Sequence, residues 1–305
     1  MYAFNNILVD TSAPDGGREA FSSALELLEN TGGRVTLAGV IAADSPAARD
    51  DEQSRLAALA TSKPHDGVEV STRVMVGSPC QELIQLSQRD NHDLLIKSAQ
   101  PSSGLKERLF GSTDHKLFRR CPCPVWVIKP GQGTRVQRVL AAIDAEHVDD
   151  VHKDLNESIL NLASGVARAE RSELHVVSAW QFWVEGYLRT ASRMRDDDVD
   201  QMVRAQEHEA ERRVRQTVAP WEQSGVELEA HVEHGPDHIV IAWLASRLDP
   251  DLVILGTFAR GGLPGLLVGN IAESLLDELD CSVLAVKPAG FGSPVSLDSS
   301  AVSAE

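Results

Sequence analysis

The second half of this chain repeats the first. Gly67 and Gly225 stand 158 positions apart, and the same shift then holds without a gap to the end of both halves. It superposes Val68 and Glu69 on Val226 and Glu227, Gly77 on Gly235, and Asp93, Leu94 and Ile96 on Asp251, Leu252 and Ile254. It continues from Gly104, Leu105, Leu109 and Gly111 onto Gly262, Leu263, Leu267 and Gly269, then from Cys123, Val125, Lys129 and Pro130 onto Cys281, Val283, Lys287 and Pro288. A register kept that long marks a duplicated unit, so the fold must be one that can be built twice. At 305 residues the chain is long enough for two cores, since single cores stop growing near about 250 residues.

Each copy alternates short β-rich runs with helix-length stretches. The strands read NNILVD, RVTLAGVIA, VEVSTRVMV, DLLIKSA and PVWVIKP in the first copy, and RVLAAID, ELHVVSAW, VELEAHVEH, DLVILGT and SVLAVKP in the second. Runs of Val, Ile and Leu without strict alternation predict strands covered on both faces, as in a parallel sheet. Between them, REAFSSALELLENTGG places Phe21, Ala24, Leu25 and Leu28 at helical spacing and closes on glycine. The pattern predicts an α/β chain of two flavodoxin- or Rossmann-like, doubly wound domains (HUP-type), each a five-stranded parallel sheet with helices on both faces. Ligands of such sheets bind at the carboxyl ends of the strands, where the winding direction switches.

The expected boundaries are residues 1–130 for the first domain, 131–137 (GQGTRVQ) for the linker and 138–288 for the second. The small, polar stretch 289–305 is expected to be disordered. The copies differ between their second and third strands. The second copy carries a longer segment, from about Gln181 to Ser224, holding Phe182, Trp183, Tyr187, Met194, Met202 and Trp221 next to Trp180. It reads as a helix packing an apolar stripe on the sheet, with a lid over an apolar pocket as the alternative.

Composition removes several classes of partner. With 29 basic and 45 acidic residues the formal net charge is -16, a field that repels nucleic acid and anionic lipid. No apolar run approaches the roughly 20 residues of a membrane span, and MYAFNNILVD has no basic stretch ahead of an apolar one. A cytoplasmic protein is expected. Cys80, Cys121, Cys123 and Cys281 fit a reducing compartment and read as core residues without metal-ligand spacing. His231 and His234 on one strand point to opposite faces, so no shared metal is expected with His238, and the run Asp196, Asp197, Asp198 and Asp200 reads as a solvated helix start. Neither a GxSxG elbow nor a GxxxxGK[ST] string is present, so no hydrolase or P-loop chemistry has a motif behind it.

The fourth strand of the second copy runs into GTFARGGLPGLLVGNIAESLLDEL, a glycine-rich loop ahead of a helix that begins near Asn270. Glycines let backbone N–H groups approach a phosphate, and a helix start adds its positive dipole end. At these residues, and through DLVILGT, GLLVGNIAE, CSVLAVKP and their first-copy counterparts, the chain resembles the universal stress protein family, its tandem E-type branch in particular.

The resemblance implies a stress-response binding or regulatory protein rather than a metabolic enzyme, with ATP as the ligand of the second domain only. It implies that Asp144 lies near the ribose, that Ala179 meets the adenine, and that Gly256, Ala259, Gly269 and Asn270 line the phosphates. Two of those four depart from the family's glycines and hydroxyl residue, at Ala259 and Asn270. In the first copy the matching positions are Ser98, Pro101, Gly111 and Ser112, with Ser12 standing where Asp144 does, so that copy is expected to be structural or to bind something else. The resemblance also implies an intramolecular pairing of the two fifth strands, with a homodimer as a further possibility. A weak ATPase and a carrier of an apolar small molecule are the competing readings.

Overall fold

The computed structural model describes residues 4–100, 109–132, 135–190, 194–223, 225–257, 275–276 and 278–297. The first half runs β1 (Asn6–Asp10), α1 (Arg18–Leu28), β2 (Gly33–Ile41), α2 (Pro46–Ala60), β3 (Val68–Val76), α3 (Pro79–Arg89), β4 (Leu94–Ser98), α4 (Ser112–Arg120) and β5 (Val125–Ile128). The second runs β6 (Arg138–Ala142), α5 (Asp150–Glu170), β7 (Glu173–Trp180), α6 (Glu185–Thr190), α7 (Asp196–Val218), β8 (Leu228–His234), α8 (Asp237–Leu248), β9 (Leu252–Gly256) and β10 (Ser282–Val286).

The strands form one ten-stranded sheet in the order β3-β2-β1-β4-β5-β10-β9-β6-β7-β8. Each half therefore has the Rossmann order 3-2-1-4-5, parallel throughout, with its switch point between the first and fourth strands. The two halves meet where β5 and β10 pair antiparallel, with Val127 opposite Val283, Trp126 opposite Leu284 and Val125 opposite Ala285. The expected pairing of fifth strands is thus the seam of the molecule, and it closes two edges that would otherwise lie open.

The repeat is legible in backbone detail. Gly77 and Gly235 have φ 143° and 145°, and Gly67 and Gly225 have φ 81° and 80°, conformations in which a side chain is strained. Asn91 and Asp249, also equivalent, share the left-handed region at φ 51° and 47°. Asp93 accepts from the N–H groups of Asn5 and Asn6, and its counterpart Asp251 accepts from those of Gln137 and Arg138. In each half an aspartate before the fourth strand therefore clasps the start of the first.

Two apolar layers cover the sheet, and each contains residues of both halves. One packs α1, α2, α5 and α7 on side chains such as Val9, Ile96, Trp126, Val139, Ile254 and Leu284. The other packs α3, α4, α8 and Leu275, Leu276 and Leu279 on Leu8, Val127, Val253 and Val283. The halves are welded, not merely tethered. Lys129 at the end of β5 donates to the Asp280 carbonyl of the second half, and its counterpart Lys287 donates to the Phe118 carbonyl of the first. Residues 289–297, expected to be disordered, instead return to the first half, where Val295 packs on the core and Gln85 donates to the Ser296 carbonyl. The remainder of that tail lies outside the described residues.

Candidate functional site

At the switch point of the second half, β6 ends in a turn that holds Asp144. Asn156, buried on α5, fixes the turn by accepting from the Asp144 N–H at 2.9 Å and donating to its carbonyl at 2.6 Å. Asp144 Oδ1 accepts from the N–H groups of Glu146 and His147, both at 3.1 Å. Asp144 Oδ2 lies 2.8 Å from His147 Nδ1 and 3.9 Å from His152 Nε2, and the two imidazoles stack with centroids 4.8 Å apart. One carboxylate oxygen thus belongs to the turn, while the other faces two half-buried histidines and solvent.

Beside this turn lies a shallow cleft, open to solvent. Its walls are Ala145 and Glu146, the end of β7 from Ser178 to Trp180 with Gln181 just beyond it, and the Gln206, Glu209 and Arg213 side of α7. Ser178 Oγ accepts from the Ala145 N–H at 3.2 Å, which ties the two strand ends together. Ala179 reaches the cleft at the end of β7 and also packs against the α8 layer. Arg213 donates to the Glu146 carbonyl and to Glu209, and the paired guanidiniums of Arg212 and Arg213 pull the Glu209 carboxyl down to about 2.

Gly256 ends β9, and a side chain there would meet Leu155 Cδ2 at 2.7 Å, so α5 packs closely on the sheet at this glycine and Leu155 would have to shift to admit a methyl group. Asp144, Ala179 and Gly256 all stand at the carboxyl ends of β6, β7 and β9. Ala259, Gly269 and Asn270 lie outside the described residues, as does Pro101.

The long segment of the second half takes the first of its two expected forms. Helix α7 buries Val214 and Val218 in the layer on the sheet, whereas Trp183 is 72% and Tyr187 64% exposed. The cleft beneath α7 mixes charged and amide side chains with Val214 and Val232, so it is not the apolar pocket of the lid alternative. The histidines His231 and His234 do diverge: His234 stacks on Trp180 at 4.3 Å, and His231 meets His175 of the neighbouring strand.

In the first half the equivalent place is filled by the chain itself. Ile7 pairs with Leu94 as Val139 pairs with Leu252, which aligns Ser12 with Asp144 and Asp10 with Ala142. Ser12 is turned onto Asp10, donating from its N–H at 3.0 Å and from Oγ at 2.9 Å, and Gln100 caps it by donating to its carbonyl. Ser98 Oγ donates to Asp15, and Gly111 leads into α4, which opens at Ser112.

Behind Ser12, Lys97 Nζ lies 2.6 Å from Asp114 and 3.7 Å from Asp10, with all three side chains fully buried. Asp114 also accepts from the Gly111 N–H at 2.8 Å. The repeat register puts Leu255 where Lys97 stands and Ala272 where Asp114 does, so the second copy carries Ala, Leu and Ala in place of this buried ion cluster.

With the geometry in place, known proteins give it a family. The universal stress protein family model matches residues 3–129 and again 136–287. The chain belongs to the universal stress protein family. Universal stress protein E of Escherichia coli K12 is 30% identical over 234 residues, covering 76% of this chain and 72% of its own length. That of Photorhabdus laumondii is 29% identical over 239 residues, covering 75% and 72%. Among solved structures, a functionally unknown protein of Pseudomonas aeruginosa PAO1 superposes with a TM-score of 0.73 at 29% identity, over 94% of this chain and 93% of that one. A putative universal stress protein of P. aeruginosa UCBPP-PA14 superposes with a TM-score of 0.69 at 28% identity, over 94% of each. The tandem universal stress protein architecture thus spans the repeat read from the sequence. No helix among the described residues is long and apolar enough to cross a membrane.

Proposed function

We propose that this tandem universal stress protein is a stress-response binding protein whose second half holds a nucleotide of the ATP type, the first half serving as its fixed structural partner. The observation that carries the reading is the asymmetry at the switch points. In the second half an aspartate is locked by backbone and Asn156, with Oδ2 turned outward. In the first half Ser12 stands there, held by Asp10 and Gln100.

The residues fit the nucleoside end of such a ligand. Asp144 Oδ2 accepts a ribose hydroxyl in place of its contact with His147, and the backbone at Ala179 presents its polar groups to the base. Arg213 places a guanidinium on the cleft wall. Gly256, Ala259, Gly269 and Asn270 are assigned to the phosphates by the sequence resemblance to the family's phosphate loop. The role is one of binding and regulation, because Asp144 is an orienting acceptor and not a nucleophile.

Calorimetric titration with ATP, alongside an Asp144→Ala variant, tests the reading. The wild-type chain is expected to bind, and the variant to lose about tenfold or more in affinity for the loss of one hydrogen bond to a charged acceptor. Equal heats from both proteins would remove the second-half cleft from the account.

A further inference from the structure

A second group of side chains lies away from the nucleotide cleft, on the first residues of two neighbouring strands. Strand β7 opens Glu173-Leu174-His175 and strand β8 carries Glu229-Ala230-His231. The strands are parallel, with His175 opposite Glu229 and Val177 opposite His231. Alternation along each strand puts the Glu and His of each triplet on one face, and the register brings both pairs together.

The ligand atoms converge. His175 Nδ1 lies 3.0 Å from His231 Nε2 and 3.6 Å from Glu229 Oε2, and His231 Nε2 lies 4.0 Å from Glu229 Oε1. A tetrahedral zinc site with bonds of about 2.0–2.1 Å places its donor atoms about 3.3 Å apart, which these separations bracket. His175 is buried and its Nε2 makes no hydrogen bond among the described residues, while the Glu173 carboxylate waits 3.8 Å from that nitrogen. Glu173 is itself held by Arg138 at 2.9 Å. A carboxylate behind the far nitrogen of a ligating imidazole fixes its tautomer and aims the other nitrogen at the ion.

The geometry points to a divalent transition-metal site, of the zinc class, formed by His175 Nδ1, His231 Nε2 and Glu229, with Glu173 as the positioning carboxylate. Two imidazoles and one carboxylate leave a coordination position for water or an incoming ligand, since Glu229 sits at the surface. Burial pushes the His231 pKa below the usual imidazole value. Arg247 on α8 is the opposing cation, and it is held over the Trp243 ring 4.8 Å away, while Glu233 joins the carboxylates on the other side. Because the donors sit on two paired strands, the site needs no closure to form.

Asp144, His147 and His152 also cluster, so the test is run in a His147→Ala/His152→Ala background. The full chain, stripped with EDTA, is titrated with Co²⁺ and followed by visible absorption, then dialysed against about 100 μM Zn²⁺ with the bound metal counted by mass spectrometry. One ion per chain is expected, with intense cobalt bands of a four- or five-coordinate site. His175→Ala and His231→Ala should each lower the affinity about 100-fold or more, and Glu173→Gln about tenfold.

Glu229→Gln changes an exposed side chain, so it removes a ligand without threatening the fold, and it should also abolish the cobalt bands. No bound metal in the background protein, or cobalt spectra unchanged in both Glu229→Gln and His231→Ala, would overturn the assignment.

Discussion

Replacing Lys97 by leucine gives the first half the residue that the repeat places in the second. The substitution leaves Asp10 and Asp114 buried with no cation between them. Breaking a buried ion pair by removing one partner costs about 3–5 kcal/mol, because the remaining charge has neither water nor a counterion. Replacing the whole cluster is different, since an apolar set of similar volume is often neutral or better. The second copy supplies that set as Ala142, Leu255 and Ala272.

The triple variant Asp10→Ala/Lys97→Leu/Asp114→Ala still loses the bonds from Ser12 and from the Gly111 N–H, at about 1–2 kcal/mol. It should therefore be more stable than Lys97→Leu alone. Equilibrium urea unfolding followed by circular dichroism reads both: a slope near 3 kcal/mol/M makes the single variant's midpoint fall by about 1 M or more, with most of it recovered in the triple. A single variant within about 1 kcal/mol of wild type, or a triple variant less stable than the single, would refute the reasoning.

Lys287 sits in the seam between the halves, where burial lowers its pKa from the ordinary 10.5 to about 7. Its folded value lies below its unfolded value, so the unfolded chain binds more protons between those two, and stability should rise from pH 7 towards pH 10.5 by up to about 4 kcal/mol. Urea midpoints across that range should show the rise, and Lys287→Met should flatten it.

Glu170 has the opposite sign: burial, with Glu26 of the first half nearby, raises its pKa to about 7. Its contribution is present at low pH and lost as pH climbs through about 7, a loss of about 1–2 kcal/mol given its partial exposure that Glu170→Gln should remove. Gly235→Ala forces a side chain into φ 145° and should cost about 1–3 kcal/mol, measured by the same unfolding curves. The thiol of Cys281 is pushed up to about 12 by burial and all four cysteines are buried and unpaired, so native protein should react with a thiol reagent far more slowly than protein in guanidinium.

Strand composition and the 158-residue shift made the two-unit α/β architecture legible, whereas the pairing of the fifth strands was implied by the family resemblance and its antiparallel sense is seen only in the structure. Less was legible where charge enters a buried strand. DLLIKSA carries Lys97 in the middle of an apolar run, a sign that counter-charges must lie close by, yet those come from Asp10 on another strand and Asp114 on a helix. Only register and packing unite them.

The histidines divide in the same way. His147 and His152 follow Asp144 at turn and helix spacing, a signal that the sequence does contain. His175 and His231 meet only through the pairing of β7 with β8, which no local spacing reveals. Gly256 gives a third lesson: its glycine reads as a phosphate residue by motif, whereas in the structure it also sits in close contact with Leu155 of α5. The exposed Trp183 and Tyr187 kept a lid open as the alternative reading of the sequence, because aromatic content is visible there and solvent is not.

Native mass spectrometry of the intact chain with increasing ATP tests the central claim most directly, because two copies of one fold differ in whether their strand ends are free. One added nucleotide mass per chain, absent from Asp144→Ala and retained in Ser12→Ala, is the expected result. Two nucleotides per chain, or one that survives Asp144→Ala, would contradict it.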